Sequence, residues 1–147
     1  MSTPESLLGP LFDFAEIEPS DHVVDLGCGD GRVVAAAVTD RRCRATGVEK
    51  DPRLVELAEE RLADAGIEAP DGQIVEYDAA RFSVDDATVL FLFIPAEVVA
   101  ATVYRLRSEG FEGRIISHEQ RYVLGGVRPA ESKVLIGDDA LTVAHRW

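Results

Sequence analysis

A glycine-rich turn directly after an apolar run constrains the fold of this chain more than any other feature. The run covers residues 22–26, and glycines follow at positions 27, 29 and 31. Glycine has no Cβ atom, so such a turn lets a ligand come close to the backbone at the start of a helix. In open α/β sheets, a turn of this kind follows a central strand, at the edge where ligands bind. The turn therefore predicts an α/β fold with a ligand site at the carboxyl edge of its sheet.

The rest of the chain alternates short runs rich in valine and isoleucine with stretches of helical period. This alternation is typical of βαβ units whose parallel sheet is covered on both faces. Predicted strands cover residues 22–26, 45–49, 73–77, 88–93, 114–117, 133–136 and 141–145, and predicted helices cover 5–17, 32–38, 52–65 and 95–107. No repeat or low-complexity linker interrupts the pattern. We therefore expect residues 1–147 to form one domain, in which residues 1–20 hold a leading helix and its connection.

The helix that follows the second predicted strand carries the clearest local signals. Asp51 suits its N-cap, Pro52 suits its first turn, and Gly66 suits its end. The apolar residues expected on one face of this helix are Leu54, Leu57, Ala58 and Leu62.

The residues around the glycine turn indicate the charge of the ligand. Asp25 precedes the first glycine by two positions, and Arg32 stands where a dinucleotide-binding fingerprint has its third glycine. A carboxylate repels a pyrophosphate but attracts the ammonium group of an amino-acid moiety. The electrostatics therefore favour S-adenosylmethionine over NAD.

Two further acids are expected at the same edge. Glu49 ends the second strand, where an acid accepts hydrogen bonds from both ribose hydroxyls. Asp78 ends the third strand, where it can accept from the adenine amine. Each has a structural alternative, since Glu49 can be a solvated strand end and Asp78 a cap or turn residue. Cys28 is expected to pack as a small apolar residue, because no base that would activate its thiol is evident nearby. Together the acids predict a single cofactor crevice.

These motifs resemble those of class I (Rossmann-like) S-adenosylmethionine-dependent methyltransferases. The resemblance covers residues 23–34, 47–49 and 77–78. It implies a doubly wound, seven-stranded and mostly parallel sheet with a C-terminal antiparallel hairpin, which the last two predicted strands fit, with Asp138 and Asp139 in the turn between them. The cofactor-binding residues it implies are Asp25, Gly27, Cys28, Gly29, Glu49, Lys50, Asp78 and Ala79.

A narrower resemblance concerns the acceptor. Residues 3–4, 29–32, 87–95 and 114–118 are similar to small prokaryotic relatives of ATP-synthase c-subunit lysine methyltransferases. This implies N-methylation of a protein lysine or another amine. Residues 93–95 read Phe-Ile-Pro instead of Asn/Asp-Pro-Pro-Tyr, which argues against methylation of a planar base or a glutamine amide.

Methyl transfer from a sulfonium needs alignment and exclusion of water more than it needs a dedicated catalytic group. An apolar mouth at residues 93–95 would lower the pKa of an acceptor amine by desolvation. Glu119 and His118, at the end of the fifth predicted strand, can assist proton removal, although a local structural hydrogen bond is the favoured alternative for His118. The residues considered for the acceptor side are Phe93, Ile94, Pro95, His118, Glu119 and Tyr122.

The composition of the chain limits the classes of partner that it can bind. The formal net charge is −12, with 27 acidic and 15 basic residues. This charge argues against a nucleic-acid backbone as the main partner, so a protein or small-molecule acceptor is expected. The only lysines are Lys50 and Lys133, a composition typical of a halophilic, salt-adapted surface or of a GC-rich genome that favours arginine codons. Cys28 and Cys43 lie far apart, and the three histidines are scattered, so neither a disulfide nor a metal site is predicted.

The sequence has no run of roughly 20 apolar residues and no basic start that leads into an apolar segment. A cytoplasmic protein with no membrane contact is therefore expected.

Three alternative functions were weighed against the methylation of an amine. The chain can be a small-molecule methyltransferase, or a cofactor-binding module without transfer activity. An NAD-dependent oxidoreductase is disfavoured by Arg32 and by the lack of a hydride-transfer constellation.

Overall fold

A seven-stranded sheet organises the residues described by the computed structural model, 3–119 and 128–147. The strands are β1 (His22–Leu26), β2 (Arg44–Glu49), β3 (Gly72–Glu76), β4 (Val89–Leu92), β5 (Arg114–Glu119), β6 (Glu131–Ile136) and β7 (Leu141–Arg146). The helices are α1 (Leu8–Phe14), α2 (Arg32–Arg41), α3 (Pro52–Asp64) and α4 (Ala96–Ser108), with short 3₁₀ turns at Glu5–Leu7 and Ala79–Arg81. None of the helices in these described ranges is long and apolar enough to cross a membrane.

The strand order is β3-β2-β1-β4-β5-β7-β6. The pairs from β3 to β5 are parallel, whereas β7 runs antiparallel to both β5 and β6. This confirms the predicted mostly parallel sheet and its C-terminal antiparallel hairpin. Because the chain moves outward from β1 on one side and then returns to place β4 on the other, the crevice between the carboxyl ends of β1 and β4 is the expected ligand site.

Side chains of alternate strand positions supply two separate cores, because successive residues of a strand point to opposite faces. Val23 of β1 belongs to the core with α1 and α2, and the next residue, Val24, belongs to the core with α4. Strand β4 is buried at all four positions, as expected for a central strand covered on both faces. Asp25 is therefore on the α1–α2 face, directly beside Phe91 of β4.

Two predicted helices differ in extent from those observed. The leading helix was expected over 5–17, but the structure has a 3₁₀ turn followed by the seven-residue α1, and Glu16 then takes a positive φ of 55°. Helix α2 continues past the predicted 38 to Arg41, and ends where Arg42, with φ 56°, donates its N–H to the Val38 carbonyl.

The predicted inner face of α3 was partly wrong. Leu57 is 52% exposed, and the buried residues are Val55, Ala58 and Leu62. Apolar residues on several sides of this helix allow more than one orientation. The close contact between Ala58 and the glycine turn selects the observed one, and that contact is invisible in the local sequence. The predicted N-cap was confirmed, since Asp51 accepts from the Arg53 N–H at 3.0 Å.

An arginine at the start of β5 ties the opposite, amino end of the sheet together. Arg114 donates to the carbonyls of Ala15 and Glu16 at 2.7 and 2.9 Å, and pairs with the buried carboxylate of Asp21. Thr88 donates to the same carboxylate at 2.7 Å. The guanidinium thus provides hydrogen bonds for the last carbonyl groups of the leading helix and also neutralises a buried carboxylate.

We expect Arg114→Met to lower the free energy of unfolding by about 3 kcal/mol, because it leaves the Asp21 carboxylate buried without its cation. Chemical denaturation at pH 7 measures the change. Arg105→Met is the matched control, since it removes an exposed i,i+4 pair with Glu109 and should cost less than about 0.5 kcal/mol. Equal losses in the two variants would contradict this assignment.

Candidate active site

The glycine-rich turn lies between β1 and α2 and is fixed to the end of β2. The N–H groups of Gly27 and Cys28 both donate to the Val48 carbonyl, at 2.8 and 3.0 Å. Gly27, Gly29 and Gly31 all have positive φ, at 82°, 56° and 79°. This left-handed backbone is the reason that the turn needs glycine at these positions.

The glycines have different surroundings. A Cβ atom built on Gly31 would lie 2.9 Å from the Ala58 Cβ, so Gly31 is required for the close approach of α3. A Cβ atom on Gly27 would meet Ile94 Cγ2 at 3.8 Å, an ordinary contact, and one on Gly29 would have nothing within 4 Å. The turn therefore has open space at Gly29 and an apolar neighbour at Gly27.

Asp25 is buried beneath this turn. It is 2% exposed, and its Oδ1 atom has no hydrogen-bond partner. Burial, and then the nearby negative charges of Glu49 and Asp30, together raise the pKa of the carboxyl from 3.8 to about 7. A buried polar atom without a partner is costly, so Asp25 is suited to pair with a cationic ligand group.

Glu49, at the end of β2, supports the turn through its side chain. Its Oε1 accepts from the Gly29 N–H, and its Oε2 accepts from the N–H groups of Lys50 and Asp51, all at 3.0 Å. A carboxylate has about four acceptor positions, so these contacts leave about one for a ligand. Two ribose hydroxyls can therefore bind to Glu49, as predicted, only if one of these three N–H groups is displaced.

The remaining predicted cofactor residues border the same edge. Asp78 is exposed and caps the 3₁₀ turn, since its Oδ1 accepts from the Ala80 N–H at 3.0 Å. This is the structural role considered for it from the sequence. Ala79 is half-buried in that turn, and the Lys50 side chain is exposed.

Cys28 is a buried packing residue in this arrangement. It is 6% exposed, and burial raises the pKa of its thiol well above the usual range. A Cβ atom on Gly47 would lie 2.6 Å from the Cys28 sulfur, so the thiol fills the space that this glycine leaves. The prediction that Cys28 packs as a small apolar residue agrees with these contacts.

The acceptor-side candidates lie beside the turn. Phe93 and Ile94 are half-buried, and Pro95 is the exposed N-cap of α4. The rings of Phe93 and His118 make an edge-to-face contact with centroids 4.5 Å apart. Glu119 is the last residue of β5 and pairs with Val143 of β7, and Tyr122 lies outside the described residues.

His118 has hydrogen bonds at both ring nitrogens. Its Nε2 is 3.0 Å from Thr3 Oγ1, and its Nδ1 is 3.0 Å from Thr142 Oγ1. Burial lowers the pKa of this histidine to about 4. A weak base with both nitrogens engaged is poorly suited to take a proton, so these contacts favour the structural alternative for His118.

A network around Asp30 had no predicted role. Its carboxylate accepts from Arg32 Nε at 3.1 Å and Nη2 at 2.8 Å, and from Arg61 Nη2 at 3.3 Å. Arg61 Nε also donates to the Asp30 carbonyl at 3.1 Å. These contacts join the glycine turn to α3. The Asp-Gly-Arg spacing is a local signal for the first pair, but the contribution of Arg61 depends on the packing of α3.

The model of the ANTKMT methyltransferase domain family matches residues 25–131. A protein-lysine N-methyltransferase from Saccharolobus islandicus (strain REY15A) is 30% identical over 131 residues, which are 88% of this chain and 80% of that protein. A probable ribosomal RNA small subunit methyltransferase A from Thermococcus onnurineus (strain NA1) is 26% identical over 108 residues, 74% of this chain but 38% of that protein.

Among solved structures, an RNA methyltransferase from Salinibacter ruber in complex with S-adenosyl-L-homocysteine is similar in fold. It has a TM-score of 0.80 and 26% sequence identity, and the match covers 100% of this chain and 92% of that one. The similarity therefore extends over the whole sheet, including the antiparallel hairpin.

Proposed function

Because the chain belongs to the ANTKMT methyltransferase domain family and is an S-adenosylmethionine-dependent methyltransferase, we propose that it methylates the side-chain amine of a protein lysine. The observation that carries this proposal is its similarity to a protein-lysine N-methyltransferase across 88% of this chain and 80% of that protein. The apolar residues beside the glycine turn and the acidic surface both support an amine acceptor.

The residues of the glycine turn fit this cofactor. Asp25 presents a buried, unpartnered carboxylate oxygen, and Gly29 leaves open space above the backbone. In the proposal, Asp25 binds the ammonium group, Glu49 accepts from the ribose, and Asp78 and Ala79 border the adenine. S-adenosylmethionine supplies an electrophilic methyl group on a sulfonium. The chain itself holds the two reactants in line and keeps water away.

The acceptor amine has to arrive without its proton, because only its lone pair attacks. Ile94 lies against Gly27, and Phe93 lies beside His118, so this apolar mouth adjoins the turn. An amine desolvated there has a pKa below its ordinary value of about 10.4. The proton then leaves to solvent, and His118 serves to hold the mouth.

RNA is the second acceptor to consider, because two of the similar proteins are RNA methyltransferases by name. The chain's formal net charge of −12 opposes binding to a phosphate backbone. Its Phe93-Ile94-Pro95 segment also lacks a polar side chain that would hydrogen bond to a base edge. These features favour the protein acceptor.

Calorimetric titration tests the cofactor assignment. The purified protein, in buffer with molar KCl, is titrated with S-adenosylmethionine, S-adenosylhomocysteine and NAD, and the titrations are repeated on Asp25→Ala and Glu49→Ala. We expect the first two ligands to bind and both substitutions to weaken them. The assignment is wrong if neither S-adenosylmethionine nor S-adenosylhomocysteine binds to a folded sample, or if NAD alone binds.

A labelling experiment tests the acceptor class separately. A cell extract is incubated with the enzyme and methyl-labelled S-adenosylmethionine, alongside the same extract with its lysines blocked by acetylation. We expect macromolecules of the extract to become labelled. Protease treatment should remove this label and RNase treatment should leave it in place, and the acetylated extract should not become labelled. Label that RNase removes would contradict the lysine proposal and indicate an RNA acceptor. Label in low-molecular-weight material would indicate a small-molecule acceptor.

A further inference from the structure

The N-terminal stretch, residues 3–7, crosses the carboxyl edge of the sheet beside the proposed site. Its first described residue, Thr3, is polar but only 5% exposed. Ser6 further along donates to Asp139 Oδ1 in the β6–β7 turn at 2.6 Å. Polar contacts therefore fasten this stretch at both ends.

On the cofactor side, the carbonyl of Thr3 accepts from Arg32 Nη1 at 3.1 Å. The same guanidinium is paired with Asp30 inside the glycine-rich segment, and this pairing lowers the pKa of the Asp30 carboxyl. The position of Thr3 is thus linked through one side chain to the turn that would hold the cofactor.

On the acceptor side, the hydroxyl of Thr3 is 3.0 Å from His118 Nε2. The imidazole packs edge-to-face against Phe93 of the apolar mouth and is held on its other side by Thr142. The hydroxyl thus fixes a ring that itself sets the position of Phe93.

We propose that Thr3 is a positioning residue that joins the two halves of the site, its carbonyl fixing the glycine turn through Arg32 and its hydroxyl fixing Phe93 through His118. This inference rests on the proposed function only for the identity of the acceptor. Methyl transfer depends on alignment, and a misplacement of about 1 Å can cost about 100-fold in rate. Loss of the hydroxyl therefore acts on turnover more than on cofactor binding.

The test compares Thr3→Val, which removes the hydroxyl and keeps the shape, with Thr3→Ser, which restores it. We expect Thr3→Val to lower kcat by about 10- to 100-fold while the Kd for S-adenosylhomocysteine changes by less than about threefold. Thr3→Ser should recover most of kcat. Ser6→Ala is the matched control, because it removes one hydroxyl from the same stretch without touching Arg32 or His118, and it should leave kcat within about twofold.

Amide hydrogen exchange gives a readout that needs no acceptor, so failure of the lysine assignment and failure of this inference are distinguishable. In Thr3→Val we expect faster exchange at residues 3–7 and also at residues 92–94 and 117–119, whereas Ser6→Ala should affect only the N-terminal stretch. Unchanged exchange near Phe93 and His118, or a kcat loss that serine does not rescue, would overturn the proposal.

Discussion

Replacing Asp25 by asparagine is expected to stabilise the ligand-free protein at pH 8 by about 2 kcal/mol while weakening S-adenosylhomocysteine binding about tenfold. Burial, and then the charges of Glu49 and Asp30, raise the pKa of this carboxyl from 3.8 to about 7. The native protein therefore holds this proton more tightly than the unfolded chain. The stabilising effect is complete below pH 4 and is lost as the pH rises through 7. Asparagine is neutral at every pH and carries no such cost.

The shift would give about 4 kcal/mol if nothing relaxed, and we expect about half of this because water and side chains adjust around the ionised group. Asparagine cannot offer a full negative charge to the ligand's ammonium, so affinity falls as stability rises. A stabilising change that damages binding marks Asp25 as a residue kept for its function.

Chemical denaturation between pH 5 and 9 measures the first effect, and calorimetry measures the second. The wild-type free energy of unfolding should fall relative to that of Asp25→Asn as the pH rises. Asp78→Asn is the control for the stability series, because Asp78 is exposed and its replacement should not change the pH slope in this way. Parallel curves for wild type and Asp25→Asn would show that the carboxyl is already ionised at no cost in the folded chain.

The pair Gly29→Ala and Gly31→Ala separates binding from packing within one turn. Both glycines have positive φ, so alanine costs about 1–2 kcal/mol of backbone strain at either position. At Gly31 the new methyl group also meets Ala58, and overpacking adds about 1–3 kcal/mol. We therefore expect Gly31→Ala to lose about 3–4 kcal/mol of stability, whereas Gly29→Ala loses about 1 kcal/mol.

Ligand binding should follow the reverse order. The methyl group of Gly29→Ala extends into the open space where the cofactor is proposed to lie, so we expect it to abolish S-adenosylhomocysteine binding in a folded protein. Gly31→Ala, measured at a temperature where it remains folded, should retain binding within about tenfold. Thermal unfolding and calorimetry on the two variants provide the comparison. A Gly29→Ala variant that binds as tightly as wild type would remove Gly29 from the cofactor site.

Sequence patterns predicted those parts of the fold that depend on interactions between residues close together along the chain. The Asp51-Pro52 start of α3 was confirmed because an N-cap and its first turn are neighbours along the chain. β1 was predicted with the bounds it has, and β4 was confirmed as a central strand, because a run of apolar residues can be buried only where both faces are covered. The orientation of α3 was missed because it depends on the contact of Ala58 with the glycine turn, which is distant along the chain.

The proposed site divides in the same way. The sequence by itself predicted the glycine turn, the acids at the strand ends and the class of cofactor, since each of these signals is a short segment at the end of one predicted strand. Only the tertiary structure decided that the Oδ1 atom of Asp25 is buried without a hydrogen-bond partner and that the Glu49 carboxylate accepts from backbone N–H groups. It alone also decided that Thr3 contacts a histidine 115 residues away. Burial and long-range hydrogen bonds depend on which surfaces meet after the chain closes, and no periodicity along the sequence records that.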